Sequence, residues 1–531
     1  MSGGGRREPG PGRKTGIHLL NPQRTRESHA LCGSSEKIVI VSRLRHFVFR
    51  QPMPGFVLLL LLLVLAGSGG AVARSQTQNP SSATNPYWGS VTTQPITGTV
   101  LSLSLDDSVR RGLTNNLGLR EAESSELSLH GEKNEVLQVF VPTITLKGDT
   151  GYYMHDLAAL GFGPSVIDKF TGLFPGGKIP AGLSLITRDD LTDGQIQLTQ
   201  VLFSAPAIAA FKAAGAAERA AYFGKMTARG EVVQQVATAY LRAIADESQV
   251  ENAKALVAQA QVLEDHAHAA HEAGTEANLD ELRARVQLES QQQSLIAAEN
   301  QQSKDLILLK REIGVDPGQV IALTDPAPYS ELAAQTPEEA RALAYKSRQD
   351  YQNLQNQTVV YKALYNSARA ERLPTLNFYS YYQTSTVNGA GTHGNYLAMG
   401  QLSFPIFREA KLRGDTDTAR ANRDSVNAQL DDLRNHIDEQ VRAALLDVNA
   451  NAKLVDVARS NVDLATRALS DETDRVNAGV DDNLPLVTAQ ATLATAQSNL
   501  VESLYQYNVS KLGLARACGV LEQQYRVYLG Q

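Results

Sequence analysis

A seven-residue segment that occurs twice constrains the fold of this 531-residue chain more than any other feature. The first copy reads Ala273-Gly274-Thr275-Glu276-Ala277-Asn278-Leu279, and the second reads Ala478-Gly479-Val480-Asp481-Asp482-Asn483-Leu484. The copies lie 205 residues apart (478 − 273), and pairs such as Val236 with Val441 keep the same offset. A fixed offset of this kind predicts an internal duplication, in which each copy forms one unit of a larger assembly.

Apolar residues recur every seven positions on both sides of each turn. Before the turns they are Val236, Ala243, Val250 and Val257 in the first copy and Val441, Val448, Val455, Val462 and Leu469 in the second. Such heptads are typical of a coiled-coil seam, and a glycine at the bend can adopt the positive φ that ends a helix. The sequence therefore predicts a long antiparallel helical hairpin in each of two tandem repeats. The first arm, about residues 206–271, would be roughly 100 Å long.

Four shorter segments alternate between apolar and polar residues and predict β-strands. They cover about residues 139–151, 193–204, 375–387 and 395–407, so one pair of strands precedes each helical hairpin. Strands with one apolar and one polar face are typical of a transmembrane β-barrel, although a half-exposed soluble sheet has the same alternation. Four strands cannot close a barrel, so the barrel interpretation requires several chains to contribute strands. The longer connection, about 152–190, is then expected on the extracellular side.

The first 73 residues have the features of a Sec-type signal peptide. Basic residues precede an apolar run over 56–66, and Ala71-Val72-Ala73 provides a small-x-small cleavage site. Because the basic region is longer than usual, a translation start further in, at Met53 or near Val41, is an alternative. A polar tail then covers residues 74–102, the two repeats cover 103–330 and 331–521, and a C-terminal tail covers 522–531.

Charge and cysteine content exclude several classes of protein. The net charge is −6, and a leader with ten Lys or Arg and three Asp or Glu would leave the mature chain at −13. Such acidity argues against nucleic acid as a partner. Of the two cysteines, Cys32 leaves with the leader and only Cys518 remains, so no internal disulfide is expected. Neither a phosphate-binding glycine loop nor a Gly-x-Ser-x-Gly elbow is present, and nothing supports an enzyme or a cofactor.

Taken together, these features resemble the TolC-like outer membrane efflux proteins of Gram-negative bacteria. The resemblance covers about residues 103–519 and is carried by the two Ala-Gly turns and by three further segments. These are Asn115-Asn116-Leu117, Ala368-Arg369-Ala370-Glu371-Arg372-Leu373-Pro374 and Phe404-Pro405-Ile406-Phe407. The resemblance implies a mainly helical homotrimer, in which three chains form a twelve-stranded β-barrel in outer membrane lipid above a periplasmic barrel of helices. It implies a passive exit duct of a tripartite efflux or type I secretion system.

The same resemblance places the two Ala-Gly turns at the periplasmic tip of the channel. There they would meet a periplasmic membrane-fusion adaptor and, through it, an inner-membrane pump of the RND, ABC or MFS type. The adaptor-binding residues that this implies are Ala273, Gly274, Thr275, Leu279, Ala478, Gly479, Val480 and Leu484. The alternative is a non-channel periplasmic coiled-coil protein, an envelope spacer or stalk, which needs no paired strands.

Acidic residues near the turns are candidates for a gate at the pore entrance. Family members commonly carry an acidic side chain six residues after the turn glycine, and Asp280 keeps this position in the first turn. The second turn has Pro485 there and instead carries Asp481 and Asp482. Carboxylates on a narrow axis attract cations. The alternative is that Asp481 and Asp482 cap a helix whose first turn accommodates Pro485.

Two histidines near the first turn are candidate metal ligands. His268, His271 and Glu272 fall on one face of the predicted helix and could hold a transition metal. The alternative is that they are ordinary solvated side chains of an exposed helix, and no metal site is assigned to the chain.

Overall fold

The computed structural model describes residues 84–91, 95–156, 169, 172, 186–274, 277–326, 329–387, 391–478 and 483–530. The signal-peptide segment and most of the 152–190 connection lie outside these residues. The strands described are β1 (Leu101–Leu103), β2 (Thr143–Asp156), β3 (Ile186–Phe203), β4 (Ile321–Leu323), β5 (Thr375–Val387) and β6 (Gly391–Ser403). The α-helices described are α1 (Leu105–Asn115), α2 (Leu117–Gln138), α3 (Ala205–Glu272), α4 (Asn278–Ile313), α5 (Pro337–Ser347), α6 (Gln349–Ala370), α7 (Glu409–Asn477), α8 (Asn483–Ala517) and α9 (Leu521–Leu529).

Two long helical hairpins, α3 with α4 and α7 with α8, make up most of this part of the chain. The long arms α3 and α7 contain 68 and 69 residues, so each extends for roughly 100 Å. Ser204 caps α3, since its hydroxyl accepts a hydrogen bond from the Ala207 N–H, and Pro206 sits in the first turn, where a missing N–H is tolerated. No proline follows in α3, and this allows one uninterrupted helix.

The helices of the two hairpins lie side by side. α3 packs against α4 and against α8, and α8 packs in turn against α7. α6, which leads into β5, also packs between α3 and α7. The Asn353 amide of α6 donates to the Ala220 carbonyl at 2.5 Å, and the Ser367 hydroxyl donates to the Pro206 carbonyl at 3.0 Å. Among the heptad residues, Val455 of α7 is fully buried, as expected for a seam position.

The four longer strands form one antiparallel sheet in the order β2-β3-β5-β6. Its outer strands, β2 and β6, contain 14 and 13 residues, and β3 contains 18. Each strand pair leads into a long helix. β3 ends one residue before the Ser204 cap of α3, and β6 is followed by α7.

The two faces of the sheet differ in polarity. Register and alternation place Ile144, Leu146, Ile196, Leu198, Tyr382, Tyr396 and Leu402 on one face. The opposite face carries Lys147, Asp193, Gln197 and Gln383. The Lys147 ammonium donates to Gln197 Oε1 at 2.9 Å across the polar face. The apolar face is open, since Leu146 is 78% exposed and Tyr396 is 83% exposed.

The main apolar core forms where the short elements pack onto the long helices. β1 and β4 pair in parallel, with Leu103 opposite Leu323, and this pairing joins the chain before the sheet to the chain after α4. Tyr240 of α3 is fully buried below this pair, and its hydroxyl donates to the Leu103 carbonyl at 2.9 Å. Other fully buried side chains of this core are Leu105, Leu309, Ile313, Tyr507, Leu512, Leu514 and Leu529.

The expected fold class is confirmed at its coarse level: the described chain is mainly helical and contains one four-stranded antiparallel sheet. The duplication, the closed barrel and the trimer stay predictions. None of the described helices is both long enough and apolar enough to cross a membrane.

Candidate functional site

The first Ala-Gly turn is a glycine-terminated helix end. α3 stops at Glu272, and Gly274 then adopts a φ of 73° while its N–H donates to the His271 carbonyl at 2.9 Å. A left-handed residue after the last helical turn is common at helix ends, and glycine adopts it without steric cost. A Cβ at Gly274 would meet no atom within 4 Å, so only the backbone conformation demands glycine here. Leu279, on the other side of the turn, is 55% exposed.

The candidate tip residues are only partly covered by the structure. Ala273, Gly274 and Leu279 of the first turn and Ala478 and Leu484 of the second are all exposed. Five further candidates lie outside the described residues, and their predicted roles stay predictions. These are Thr275, Gly479, Val480, Asp481 and Asp482.

Asp280, the candidate gate residue of the first turn, lies in the first turn of α4. Its N–H donates to the Ala277 carbonyl at 3.0 Å, and its carboxylate accepts a hydrogen bond from Arg283 Nη1 at 3.0 Å. An acidic residue in this position is favourable, because the N-terminus of a helix carries partial positive charge. Asp280 is therefore held by its own helix, with a side chain that is 19% exposed.

The two candidate histidines turn towards a residue that the sequence analysis did not single out, Glu281 of α4. His268 Nδ1 lies 2.9 Å from Glu281 Oε1, and His271 Nε2 lies 3.8 Å from Glu281 Oε2. Glu272 lies 3.5 Å from His268 Nε2. The hydrogen bond to Glu281 and the charge of Glu272 raise the pKa of the His268 imidazole. Within the described residues, no group of three or more His, Cys, Asp or Glu side chains could hold a metal ion.

Next to these ion pairs, an apolar cluster joins the two hairpins. Leu263 and Ala267 of α3 and Ala284 of α4 pack against Leu486 of α8. Leu486 is 6% exposed, whereas Leu484, two residues earlier, is 49% exposed. One face of this end of α8 is therefore buried in internal packing, while the Leu484 side chain is about half exposed.

The fold defines a class of mainly helical proteins in which a four-stranded antiparallel sheet leads into long helical hairpins. The comparisons identify the family. The chain belongs to the outer membrane efflux protein family, whose model matches residues 113–315 and 340–520. This confirms the resemblance found in the sequence, and with it the outer membrane of a Gram-negative bacterium as the location.

Individual relatives match parts of the chain at low identity. Outer membrane protein TolC of Escherichia coli strain K12 is 24% identical over 151 residues, which are 27% of this chain and 31% of TolC. The pyoverdine export outer membrane protein OpmQ of Pseudomonas aeruginosa is 24% identical over 324 residues, 59% of this chain and 66% of OpmQ. The chain thus spans less than two thirds of the length of either relative in these matches.

A solved structure shares the fold. The crystal structure of a membrane protein from Pseudomonas aeruginosa superposes with a TM-score of 0.66 at 18% identity, and covers 78% of this chain and 93% of that one. At this identity the similarity shows the fold alone.

Proposed function

We propose that this protein is a homotrimeric outer-membrane channel that serves as the passive exit duct of a tripartite efflux or type I secretion system. Three chains would contribute four strands each to a twelve-stranded barrel in the outer membrane, and the helical hairpins would continue the duct into the periplasm. Energy would come from a partner in the inner membrane, since the chain offers no nucleotide-binding loop.

The four-stranded sheet is the observation that carries this proposal. Its strands of 13 to 18 residues exceed the 9 to 11 or so that a tilted strand needs to cross a bilayer. One face carries large exposed apolar side chains such as Leu146 and Tyr396, as lipid contact requires, and the other carries charged and amide side chains such as Lys147 and Gln383, as a water-filled lumen requires. Edge strands β2 and β6 would pair between neighbouring copies, because known barrels of this kind need at least about eight strands. A stalk protein would need no such sheet.

Exposed apolar residues on the outer helices support contacts between copies in the periplasmic part. α4 and α7 lie at the two sides of the helical layer, since α3 and α8 pack between them. The large exposed apolar residues are Leu282, Val286, Ile296 and Ile307 on α4 and Leu446, Leu454, Val457 and Leu464 on α7. Exposed apolar side chains on both outer helices favour packing against helices of neighbouring copies.

The turns are the proposed docking region for a periplasmic membrane-fusion adaptor and, through it, an RND, ABC or MFS type pump. The exposure of Gly274, Leu279 and Leu484 supports this assignment, because an adaptor can reach these residues without unfolding the hairpins. OpmQ is named for pyoverdine export and the similarly related AprF for alkaline protease secretion, so these relatives support both the efflux and the secretion alternative.

The mass of the detergent-extracted protein, measured by light scattering on the outer-membrane fraction, tests the proposal. A trimer that is extracted only by detergent and conducts ions in a planar bilayer is the expected result. A water-soluble monomer or dimer would contradict it and leave the coiled-coil envelope protein.

For the pore entrance, we propose that Asp280, Asp481 and Asp482 form an acidic gate. Replacing Asp481 and Asp482 by asparagine should lower the preference for cations in bilayer conductance, because each trimer loses six carboxylates near the axis. The matched control is Asp474→Asn with Asp471→Asn, which removes the same charge from α7 above the turn. If ion selectivity changes equally in both pairs, the acidic residues of the turn have no special role at the entrance.

A further inference from the structure

A cluster of charged side chains connects three helices well away from the turns. Arg242 of α3 lies at its centre. The guanidinium Nε is 3.2 Å from Asp246 Oδ1 on the same helix and 3.7 Å from Asp305 Oδ2 on α4. Nη1 is 3.0 Å from Glu502 Oε2 on α8. One side chain therefore contacts three carboxylates, and these belong to both helical hairpins.

The cluster is partly shielded from water, and this makes its contacts expensive to break. The Asp246 side chain is 5% exposed and that of Asp305 is 18% exposed. The Arg242 guanidinium also lies over the Tyr505 ring, 5.3 Å from its centroid. Removing one partner of a shielded charge pair leaves the other charge uncompensated, which costs more than an exposed pair contributes.

The cluster lies where the main core of the molecule ends. On α3 the buried residues of that core extend only to Ile244, and on α8 the partly buried residues that pack against it begin at Leu504. Between this level and the turns, the apolar clusters in the described chain are small, one around Leu263 and Leu486 and one around Ala465 and Leu493. The turn-side parts of the hairpins therefore pack through small clusters and single buried residues such as Val250, Leu256 and Leu288, and not through the main core.

We propose that Arg242 is a positioning residue that sets the distance between the two hairpins at the turn-side end of the main core. The parts of the two hairpins between Arg242 and the turns would then move relative to each other about this point. Its three carboxylate partners fix α3 to α4 within the first hairpin and to α8 of the second. This role concerns the single chain and does not depend on the proposed channel function.

Proton uptake by Asp246 makes the contact sensitive to pH. Burial, and then the hydrogen bond with Asp305, raise the pKa of the Asp246 carboxyl to about 7. The groups that face Asp246 are Arg242 on α3, Asp305 on α4, and Glu502 and Tyr505 on α8. Below the raised pKa, a neutral Asp246 can donate to the Asp305 carboxylate, and the native state holds a proton that the unfolded state lacks. As pH rises through about 7, this stabilisation is lost and three carboxylates face one guanidinium.

Distance measurement between spin labels tests the proposal directly. Lys254 of α3 and Thr492 of α8 are exposed positions on the turn side of the cluster and can be replaced by cysteine for labelling. The native cysteines Cys32 and Cys518 are replaced by alanine, and labelled chains are diluted with unlabelled full-length chains. Arg242→Gln should give a longer mean distance and a broader distribution. The matched control is Arg285→Gln, which removes an arginine whose carboxylate partner among the described residues, Glu289, is exposed on the same helix. It should leave the distribution unchanged.

The pH profile separates positioning from a general loss of structure. With Arg242 and Asp246 present, the distance distribution should broaden as pH rises from about 5 to about 9. Asp246→Asn, which keeps the size of the side chain and stays neutral, should make the profile flat and keep the narrow distribution. An unchanged distribution in Arg242→Gln, or a wild-type profile that does not respond to pH while the Asn variant matches it, would overturn the proposal. Should Arg242→Gln fail to fold, Arg242→Lys, which keeps the charge but loses the forked guanidinium contacts, replaces it, and an unchanged distance distribution would then overturn the proposal.

Discussion

The turn-side ends of the two hairpins use different chemistry for the same task. In the first hairpin, His268 and His271 of α3 reach across to Glu281 of α4. Moving 205 residues along, the corresponding positions are Thr473, Val476 and Leu486. Leu486 is buried in the cluster that joins the hairpins, and Val476 packs against it.

This difference shows which hairpin end has contacts that change with pH and salt. Contacts between half-exposed imidazoles and a carboxylate contribute little and depend on pH and salt. An apolar contact such as that of Leu486 depends on neither, and it is lost only when the side chains separate. The packing in this cluster holds both hairpin ends, and the first end carries an additional contact that depends on pH and salt.

Truncating the apolar anchor should have the largest effect. Leu486→Ala removes most of a buried leucine, and such changes typically cost about 2–5 kcal/mol. Amide hydrogen exchange near the turn-side ends of α7 and α8 should therefore accelerate by roughly thirtyfold or more. Leu484→Ala is the control, since the same side chain is removed from an exposed position on the same helix and should shift stability by no more than about 0.5 kcal/mol. Equal exchange in both variants would show that packing does not anchor this end.

A smaller effect is expected from the backbone of the first turn. Gly274→Val places a β-branched residue at a φ of 73°, and the left-handed conformation costs non-glycine residues about 1–2 kcal/mol. We expect weaker cross-linking to the adaptor with the barrel still assembled. Gly274→Asn separates conformation from surface shape, because asparagine tolerates this conformation and the site has space for a side chain. If the Asn variant loses cross-linking as completely as the Val variant, the conformation is not what matters.

The smallest effect concerns pH. The raised pKa of His268 means that its charged contact with Glu281 is fully present below the ordinary imidazole range and is lost as pH rises through the raised pKa. Hydrogen exchange at the end of α3, corrected for the intrinsic pH dependence, should therefore become faster relative to the end of α7 as pH increases. His268→Gln should remove this relative change. If amide protection at the end of α3 changes with pH in the same way as at the end of α7, the proposed difference between the two hairpin ends is wrong.

The sequence predicted the parts of the fold that have a period. A seven-residue spacing is enough to predict that Val441 and Val455 face a seam, and two-residue alternation is enough to predict that Ile144 and Leu146 share a face. The break between α1 and α2 has no such period: Asn116 takes an extended conformation there, and its Oδ1 accepts a hydrogen bond from the Gly118 N–H at 2.9 Å. Asparagine is a preferred helix cap, so the break could have been predicted from the residue type.

Contacts between distant segments could not be predicted in the same way. Arg242, Asp305 and Glu502 are spread over 260 residues and each resembles a solvated charge on a helix flank, so nothing in the sequence marks them as neighbours. Glu281 could have been found, since folding the chain back at Gly274 brings the first turn of α4 opposite the last turns of α3. For the candidate site, the sequence identified the turns and the histidines but missed the residues that face them.

The parallel pair of β1 and β4 has a consequence for the order of events during folding. Leu103 and Leu323 are 220 residues apart, and the first strand pair and the entire first hairpin lie between them. Contacts of such long sequence separation are slow to form, because the intervening chain must first be brought into place. β1 is therefore expected to stay unpaired until the first hairpin has formed. Its pairing with β4 then completes the first half of the molecule. A chain that emerges from its N-terminus therefore leaves this short strand without its partner while the next 220 residues follow.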